Sequence, residues 1–231
     1  MNREVLAFDK VVSSIDLNQN ILDDIKENAY LFVKRTFDII VSLIGVTFLI
    51  PILLILKLLF ILTGDFKPMI FKQKRVGRFG KNIYIYKIRS MVPNAEDELK
   101  KLLKIKKYKK EWDKNQKLEN DPRITKIGKF IRKTSIDEIP QFINVLKGDM
   151  SLIGPRPLVV NELDNHGGNH RVYESVRPGI TGWWACNGRS SIDYKERLKL
   201  EYYYVNNKSI SLDIKCIYKT ITAVVNKEGA K

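Results

Sequence analysis

Phe37–Leu62 reads FDIIVSLIGVTFLIPILLILKLLFIL, and how this segment sits decides what the rest of the chain can be. From Ile39 to Leu56 it carries no charge. That length approaches the roughly 20 apolar residues that cross a bilayer as a helix. Two features argue against a simple crossing. Pro51 stands near the middle; it has no N–H to donate and its ring meets the preceding turn, so it kinks or breaks a helix. Both flanks are basic, with Lys34 and Arg35 before the run and Lys57, Lys67, Lys72, Lys74, Arg75, Arg78 and Lys81 after it. Basic flanks mark the cytoplasmic side of a membrane, and here both ends carry that mark. A bent helix that enters and leaves by the same face satisfies both observations, with Lys57 snorkelling to the headgroups. This re-entrant reading is preferred to a full span. A buried core helix is disfavoured, because a domain of this size has little with which to cover a run that is apolar all round.

The totals fit a membrane-surface protein with anionic partners. The chain has 231 residues, 44% hydrophobic and 29% charged, which excludes wholesale disorder. Its net charge of +15 favours nucleic acid, anionic lipid headgroups or phosphorylated substrates. Cys186 and Cys216 are isolated, so a disulfide framework is not expected and a reducing compartment is the simpler reading. Residues 1–30 are mixed and polar and do not read as a secretory signal.

Outward from the apolar run, residues 19–36 read as a helix leading into it. Ile70–Lys74 and Ile83–Arg89 alternate around Gly77 and Gly80 and predict a β-hairpin with a basic tip at Arg75, Arg78 and Lys81. Asn94 is placed to cap a Lys-rich helix with an imperfect stripe of Leu99, Leu102, Leu103 and Trp112. That helix is either a solvated face or a membrane-surface helix drawn to anionic lipid. No helix-turn-helix, zinc-finger or RNA-recognition pattern accompanies it, so nucleic acid is not the expected partner. A short helix is expected at Thr125–Lys133, turns at Arg177-Pro178-Gly179 and Gly188-Arg189, and a last helix capped by Ser211. His166 and His170 in NHGGNH lack further ligands and read as a polar loop. At least one of Trp183 and Trp184 is expected in the core.

The acidic pair Asp137–Glu138 stands out in TSIDEIPQFINVLKGDMSLIGPRP, Thr134–Pro157. SIDE has the form of a capping box, Ser135 at the N-cap and Glu138 three residues on. Pro140 would then fall inside the helical ladder, at a cost of about 3 kcal/mol. It fits better in the first turn of a helix running to Lys147 and stopped by Gly148. The acids then lie at or before a helix start, where unpaired N–H groups gather anions, and a capping role for Ser135 persists beside them. Arg132 and Lys133 precede the pair, and Arg156 follows, held between Pro155 and Pro157. A carboxylate can act as nucleophile at phosphorus, with Mg²⁺ and arginines offsetting the like-charge repulsion. Neighbouring acids do not face each other as a glycosidase pair must.

KRTFDII with its downstream proline, FKQKRVGRFGKNIYIYKIRSM, DPRITKIGKFIRKTSIDEIPQFINVLKGDMSLIGPRP and RPGITGWWACNGRSS together resemble the bacterial sugar transferase family, from about Lys34 to Val225. These are monotopic polyprenyl-phosphate phosphoglycosyl transferases of the bacterial inner (plasma) membrane, working at its cytoplasmic face. The resemblance implies transfer of a sugar 1-phosphate from a UDP-sugar to undecaprenyl phosphate, opening the assembly of a capsule, exopolysaccharide or O-antigen unit. It implies Asp137 as nucleophile and Mg²⁺ contact, Glu138 as its assistant, and Arg132, Arg156 and Lys87 as phosphate-binding residues. It also implies a membrane-helix kink at Pro51, where Ile50 stands in place of the serine that often precedes that proline. Residues 1–30 lack the transmembrane helices of larger members, so the resemblance is to a compact form. The expected fold is α+β: a mostly helical domain with a small β-hairpin, anchored by a proline-kinked re-entrant helix. The expected division is an extension at 1–30, the membrane helix at 31–66 and a cytosolic catalytic domain at 67–231. A homo-oligomer is compatible with the sequence, which does not specify one.

Overall fold

The computed structural model describes residues 3–115, 118–188 and 192–225. Helix α1 is Arg3–Leu62, 60 residues in one run, or roughly 90 Å at 1.5 Å per residue. It joins the expected extension and membrane segment into a single helix. Pro51 lies inside it without interrupting it, so the break assigned to that residue from sequence is not seen. In apolar surroundings the backbone groups freed by a break find no water, and packing on both sides of Pro51 holds the helix together. Asp38, Ser42, Leu49, Leu56 and Phe60 are buried, and Val41, Ile52 and Leu53 pack against core clusters. Their spacing of three or four places them on one face. The opposite face leaves Ile40, Leu43, Ile44, Phe48, Leu54, Ile55, Leu58 and Leu62 exposed. A narrow stripe of the apolar run is therefore core and most of it is uncovered hydrophobic surface, which marks an interaction site.

Three charged residues within one and a half turns fasten α1 to the domain. Lys34 Nζ lies 2.8 Å from Asp213 Oδ2 and donates to Tyr204 Oη at 3.2 Å. Arg35 donates to the carbonyls of Val145 at 2.6 Å and Leu146 at 3.0 Å. Asp38 Oδ1 accepts from the backbone N–H of Leu152 at 3.0 Å.

Strands β1 (Ile70–Val76) and β2 (Asn82–Ile88) form the expected hairpin, antiparallel from Ile70 opposite Ile88 to Val76 opposite Asn82. Helices α2 (Ala95–Leu102) and α3 (Lys106–Asn115) follow; the Lys-rich segment, expected as one helix, is interrupted at Leu103–Ile105. Next come α4 (Lys126–Lys133), capped by Thr125, whose hydroxyl accepts from Gly128 N–H, and α5 (Gln141–Lys147). Pro140 stands at the start of α5, and Gly148 ends it in the left-handed region, as the sequence implied. Asn144, fully buried on α5, donates to Tyr84 O at 2.7 Å and accepts from Tyr86 N–H at 3.0 Å. Its amide thus completes the free edge of β2 and fixes α5 against the hairpin. Strand β3 (Ser151–Ile153) pairs in parallel with β4 (Gly179–Thr181), a strand within a stretch read from sequence as turns. Helices α6 (His170–Tyr173), α7 (Tyr194–Asn206) and α8 (Ile210–Val225) complete the domain. The cap of α8 is Ser209, which accepts from Leu212 N–H, two residues before the expected Ser211.

One core cluster joins Ile83, Ile85, Val145, Met150, Leu152, Ile153, Tyr204, Val205, Leu212 and Cys216, with Trp183 packed against it. A second joins Leu56 and Phe60 of α1 to Ile88 and Ile131, with Ile127 and Ile136 alongside. On α7, Glu201 is 1% exposed; it accepts from Arg156 N–H at 3.0 Å and from Tyr173 Oη–H at 3.4 Å. Burial pushes its carboxyl up to about 7, against the hydrogen bond from Arg156 and the charge of Arg197. The unfolded value is near 4.5, so the native state binds the extra proton between the two. Stability then falls as pH rises through that window, by up to about 3 kcal/mol. Thermal melts of Glu201→Gln and wild type from pH 4.5 to 8 should show the wild type losing ground to the variant as pH rises; a constant difference between the two would contradict the assignment.

Candidate active site

The acidic pair sits on a short 3-10 turn, Ile136–Glu138, between α4 and α5. Ser135, just before it, adopts φ 56° and makes no side-chain cap. A non-glycine residue in the left-handed region costs about 1–2 kcal/mol, and such strain collects at functional sites. The capping box is therefore not formed. Glu138, which would have closed it, instead places Oε1 3.1 Å from Lys87 Nζ. The reason is the reversal needed between α4 and α5: with Pro140 starting α5, Ser135 has no helix of its own to cap.

Four of the residues singled out in the sequence converge here. Lys87 comes from the end of β2 and Arg132 from the last turn of α4, where its Nε donates to Ser90 Oγ at 2.8 Å. Asp137 is half-buried. Burial and then the adjacent Glu138 charge raise its carboxyl above the usual range, while Lys87 and Arg132 pull it down. Among the described residues Asp137 forms no ion pair, so a carboxylate with a like charge beside it faces only longer-range cations. Hard oxygen donors of this kind suit Mg²⁺, which takes one or two carboxylates together with phosphate oxygens. Among the described residues no cluster of three or more His, Cys, Asp or Glu offers a self-sufficient metal site. His170 is held between Asp164 at 2.7 Å and Glu174 at 2.6 Å, and both carboxylates raise its pKa; His166 stacks on Tyr194. His166 ends a short 3-10 turn and His170 opens α6, so the pair is not in the plain polar loop expected from sequence.

Arg156 is placed elsewhere. Its N–H is tied to Glu201 and its guanidinium lies 5.6 Å over the Trp184 ring, whose centroid is also 4.8 Å from that of Arg197. Arg75 neighbours it: burial and then the Arg156 charge hold Arg75 below the usual arginine range. Among the described residues no hydrogen bond or ion pair links Arg156 to the acidic pair. Along the hairpin, Arg75 faces Ile83 while Lys87 faces Phe71, four residues apart, or roughly 13 Å. The site thus has two basic centres, one at the acids and one at Arg75, Arg156 and Arg197. Arg75 and Arg197 were not picked out as site residues from sequence. Arg75 registered as a flanking charge and as part of the hairpin's basic tip, and no local motif surrounds Arg197.

The ordering of α4 depends on Gly128. A Cβ there would stand 1.8 Å from the Ser90 carbonyl oxygen, and Ser90 is the residue that receives Arg132. α4 also leans on this strand end through Thr125 N–H to Ser90 O at 3.1 Å.

A helix with one uncovered apolar face carries an α+β domain whose acid pair is set among cations, an arrangement that fits a membrane-associated protein. The chain belongs to the bacterial sugar transferase family, which it matches over residues 29–227. It is 46% identical over 200 residues to an undecaprenyl-phosphate galactose phosphotransferase of Salmonella typhimurium, a match covering 86% of this chain and 42% of that protein. It is 44% identical over 200 residues to a UDP-galactose-lipid carrier transferase of Erwinia amylovora, covering 86% and 42%. To the exopolysaccharide production protein ExoY of Sinorhizobium fredii it is 34% identical over 198 residues, covering 85% and 87%. The chain thus spans less than half of the first two relatives and most of the third.

Gly128→Ala should cost on the order of 1–3 kcal/mol through overpacking, read as a lower thermal midpoint. Phe130→Ala, on the same helix but 55% exposed, should leave the midpoint nearly unchanged. Equal midpoints for both variants would show that α4 does not need this contact.

Proposed function

We propose that the chain is the catalytic unit of a phosphoglycosyl transferase that moves a sugar 1-phosphate from a UDP-sugar to undecaprenyl phosphate. The observation that carries this reading is the convergence of Asp137, Glu138, Lys87 and Arg132 on a turn whose Ile136 packs against the cluster that joins Leu56 and Phe60 of α1 to Ile88 and Ile131. The acids therefore adjoin the helix that bears the exposed apolar face, where a lipid-borne phosphate can reach them.

In the first step an Asp137 carboxylate oxygen attacks the β-phosphorus of the donor. The bond to the bridging oxygen breaks and UMP leaves with that electron pair. The sugar phosphate is then held as an acyl phosphate on Asp137. In the second step an oxygen of the lipid phosphate attacks the same phosphorus, freeing the Asp137 carboxylate and forming the lipid diphosphate sugar. Lys87 and Arg132 offset the charge gathered on phosphate oxygens during both displacements. Glu138, oriented by Lys87, positions the acceptor and takes its proton where the lipid phosphate carries one. Asp137 would help to hold Mg²⁺, which would supply further charge neutralisation at the donor phosphates. Arg156 and its stacked neighbours serve the part of the donor that lies away from the reacting phosphorus. The galactose named for two relatives makes UDP-galactose the first donor to test, and exopolysaccharide or capsule assembly the expected use.

The two arms of α1 about Pro51 both rest on the same domain, through Asp38 and Val41 on one side and Leu56 and Phe60 on the other. This favours a helix that lies in one leaflet at the cytoplasmic face over one that crosses. Asp137→Asn should lower UMP release from UDP-galactose, with undecaprenyl phosphate and Mg²⁺, by at least about 10³-fold, the scale of removing a covalent nucleophile. Turnover near wild type would exclude Asp137 as the nucleophile. Cysteines placed at Asp23 and at Phe66 should both resist a membrane-impermeant thiol reagent added outside intact cells; labelling at either position would exclude the one-face arrangement.

A further inference from the structure

A second cavity, of about 260 Å³, opens between the start of the apolar part of α1, the hairpin tip and the loop before β4. Its walls carry Lys34, Arg35, Arg78, Arg177 and Lys208, against Glu27 and Asp38. Most of these charges are already engaged. Lys34 is paired with Asp213 and Lys208 with Glu27 at 3.1 Å. Arg35 is spent on the carbonyls that end α5, and Asp38 on Leu152 N–H. Arg78 and Arg177 differ. Each is fixed through Nε, Arg78 to Ser175 O at 2.8 Å and Arg177 to Gly148 O at 2.9 Å. Neither has a carboxylate within ion-pair distance among the described residues. They also oppose each other: burial and then the Arg177 charge hold Arg78 below the usual arginine range, with Glu27 pulling weakly the other way. Two guanidinium groups anchored at one nitrogen, facing one cavity without a counter-ion, form a prepared receptor for a planar or tetrahedral oxyanion.

This cavity is separate from the acid pair. Arg78 lies in the turn of the hairpin and Lys87 near the far end of β2, at least roughly 17 Å away at 3.3 Å per residue. Its α1 wall runs from Glu27 to Asp38, the last charged residue before the charge-free run that starts at Ile39, and Phe32, Val33, Phe37, Ile39 and Ile40 are exposed along and beyond it. The cavity therefore opens at the boundary between polar and apolar surface, the depth at which phospholipid headgroups lie.

We propose that this cavity binds a phosphate group through Arg78 and Arg177, and that its position at the polar–apolar boundary makes an anionic phospholipid headgroup the source, ahead of free phosphate. It is a regulatory or anchoring site in addition to the one that reads the substrate. Its test uses the full chain, purified in neutral detergent and delipidated, and reads binding rather than transfer. Wild type and Arg78→Gln/Arg177→Gln are titrated separately with phosphatidylglycerol, phosphatidylcholine and inorganic phosphate, following bound lipid by native mass spectrometry and the thermal midpoint. Wild type should hold phosphatidylglycerol at least about fivefold more tightly than the double variant, with no such difference for phosphatidylcholine. Stabilisation of wild type alone by inorganic phosphate, without a phosphatidylglycerol preference, would support the site and assign it to a soluble phosphate. If neither ligand distinguishes the two proteins, the proposal is overturned. Should the double variant lack a melting transition, Arg78→Gln alone, on the turn, should still lose about threefold in affinity, and an unchanged value would equally overturn it. UMP release by Arg78→Gln in detergent should stay within about twofold of wild type, which separates this site from the transfer reading.

Discussion

Everything else in the molecule depends on how α1 is registered against the domain, and that register is set by charge. Lys34, Arg35 and Asp38 lie within five residues and bind three different elements: α8 through Asp213, the end of α5, and β3 through Leu152. The Lys34–Asp213 pair is only 14% and 11% exposed at its two side chains. A buried pair of this kind adds little net stability over an apolar substitute. What it supplies is discrimination. An apolar stripe can slide by a turn along another apolar surface at modest cost, whereas a lysine, an arginine and an aspartate that must each meet a specific partner cannot. Slipping α1 by one turn would leave three desolvated charges unpaired and would move Leu56 and Phe60 away from Ile88 and Ile131.

That register carries through to the chemistry. Leu56 and Phe60 hold Ile131 and Ile136 in one cluster, so α4 and the acidic turn take their position from α1. From the other side Asn144 fixes α5 to β2, which brings Lys87 to Glu138. The acid pair is thus clamped between an apolar contact and a polar one. The strained Ser135 is affordable only because both neighbours of the turn are already fixed. A flexible loop bearing the same acids would let Asp137 turn to water and relieve its unfavourable burial, losing the orientation a nucleophile needs.

Long-range constraints mark the limit of what the sequence made legible. The hairpin, Pro140 at the start of α5, Gly148 at its end and the Thr125-led helix follow from local rules, and each appears where those rules place it. The basic residues around Asp137 were legible as types in the right neighbourhood. What local rules could not supply were competitions settled across the fold. Ser135 and Glu138 satisfy the letter of a capping box, yet Lys87, 51 residues away, takes the carboxylate. Pro51 should break a helix in isolation, but the domain packs on both sides of it. Arg156 sits in a rigid, conspicuous GPRP motif, yet its backbone is tied to Glu201 and its side chain to Trp184, so it joins a second basic centre with Arg75. That centre had no sequence signature, because β1, the GPRP loop and α7 contribute one residue each.

The hairpin links these separate readings into a single geometry. Lys87 near one end serves the acids, Arg75 along its length adjoins Arg156, and Arg78 at its turn faces the cavity beside α1. Successive cations on one ribbon therefore face different surroundings. Burial and then a cation from outside the hairpin, Arg156 for Arg75 and Arg177 for Arg78, hold both below the usual arginine range. The net charge of +15, which by itself said no more than that anionic partners are favoured, is thus resolved into positions: cations stand at intervals along one hairpin, at Arg75, Arg78 and Lys87.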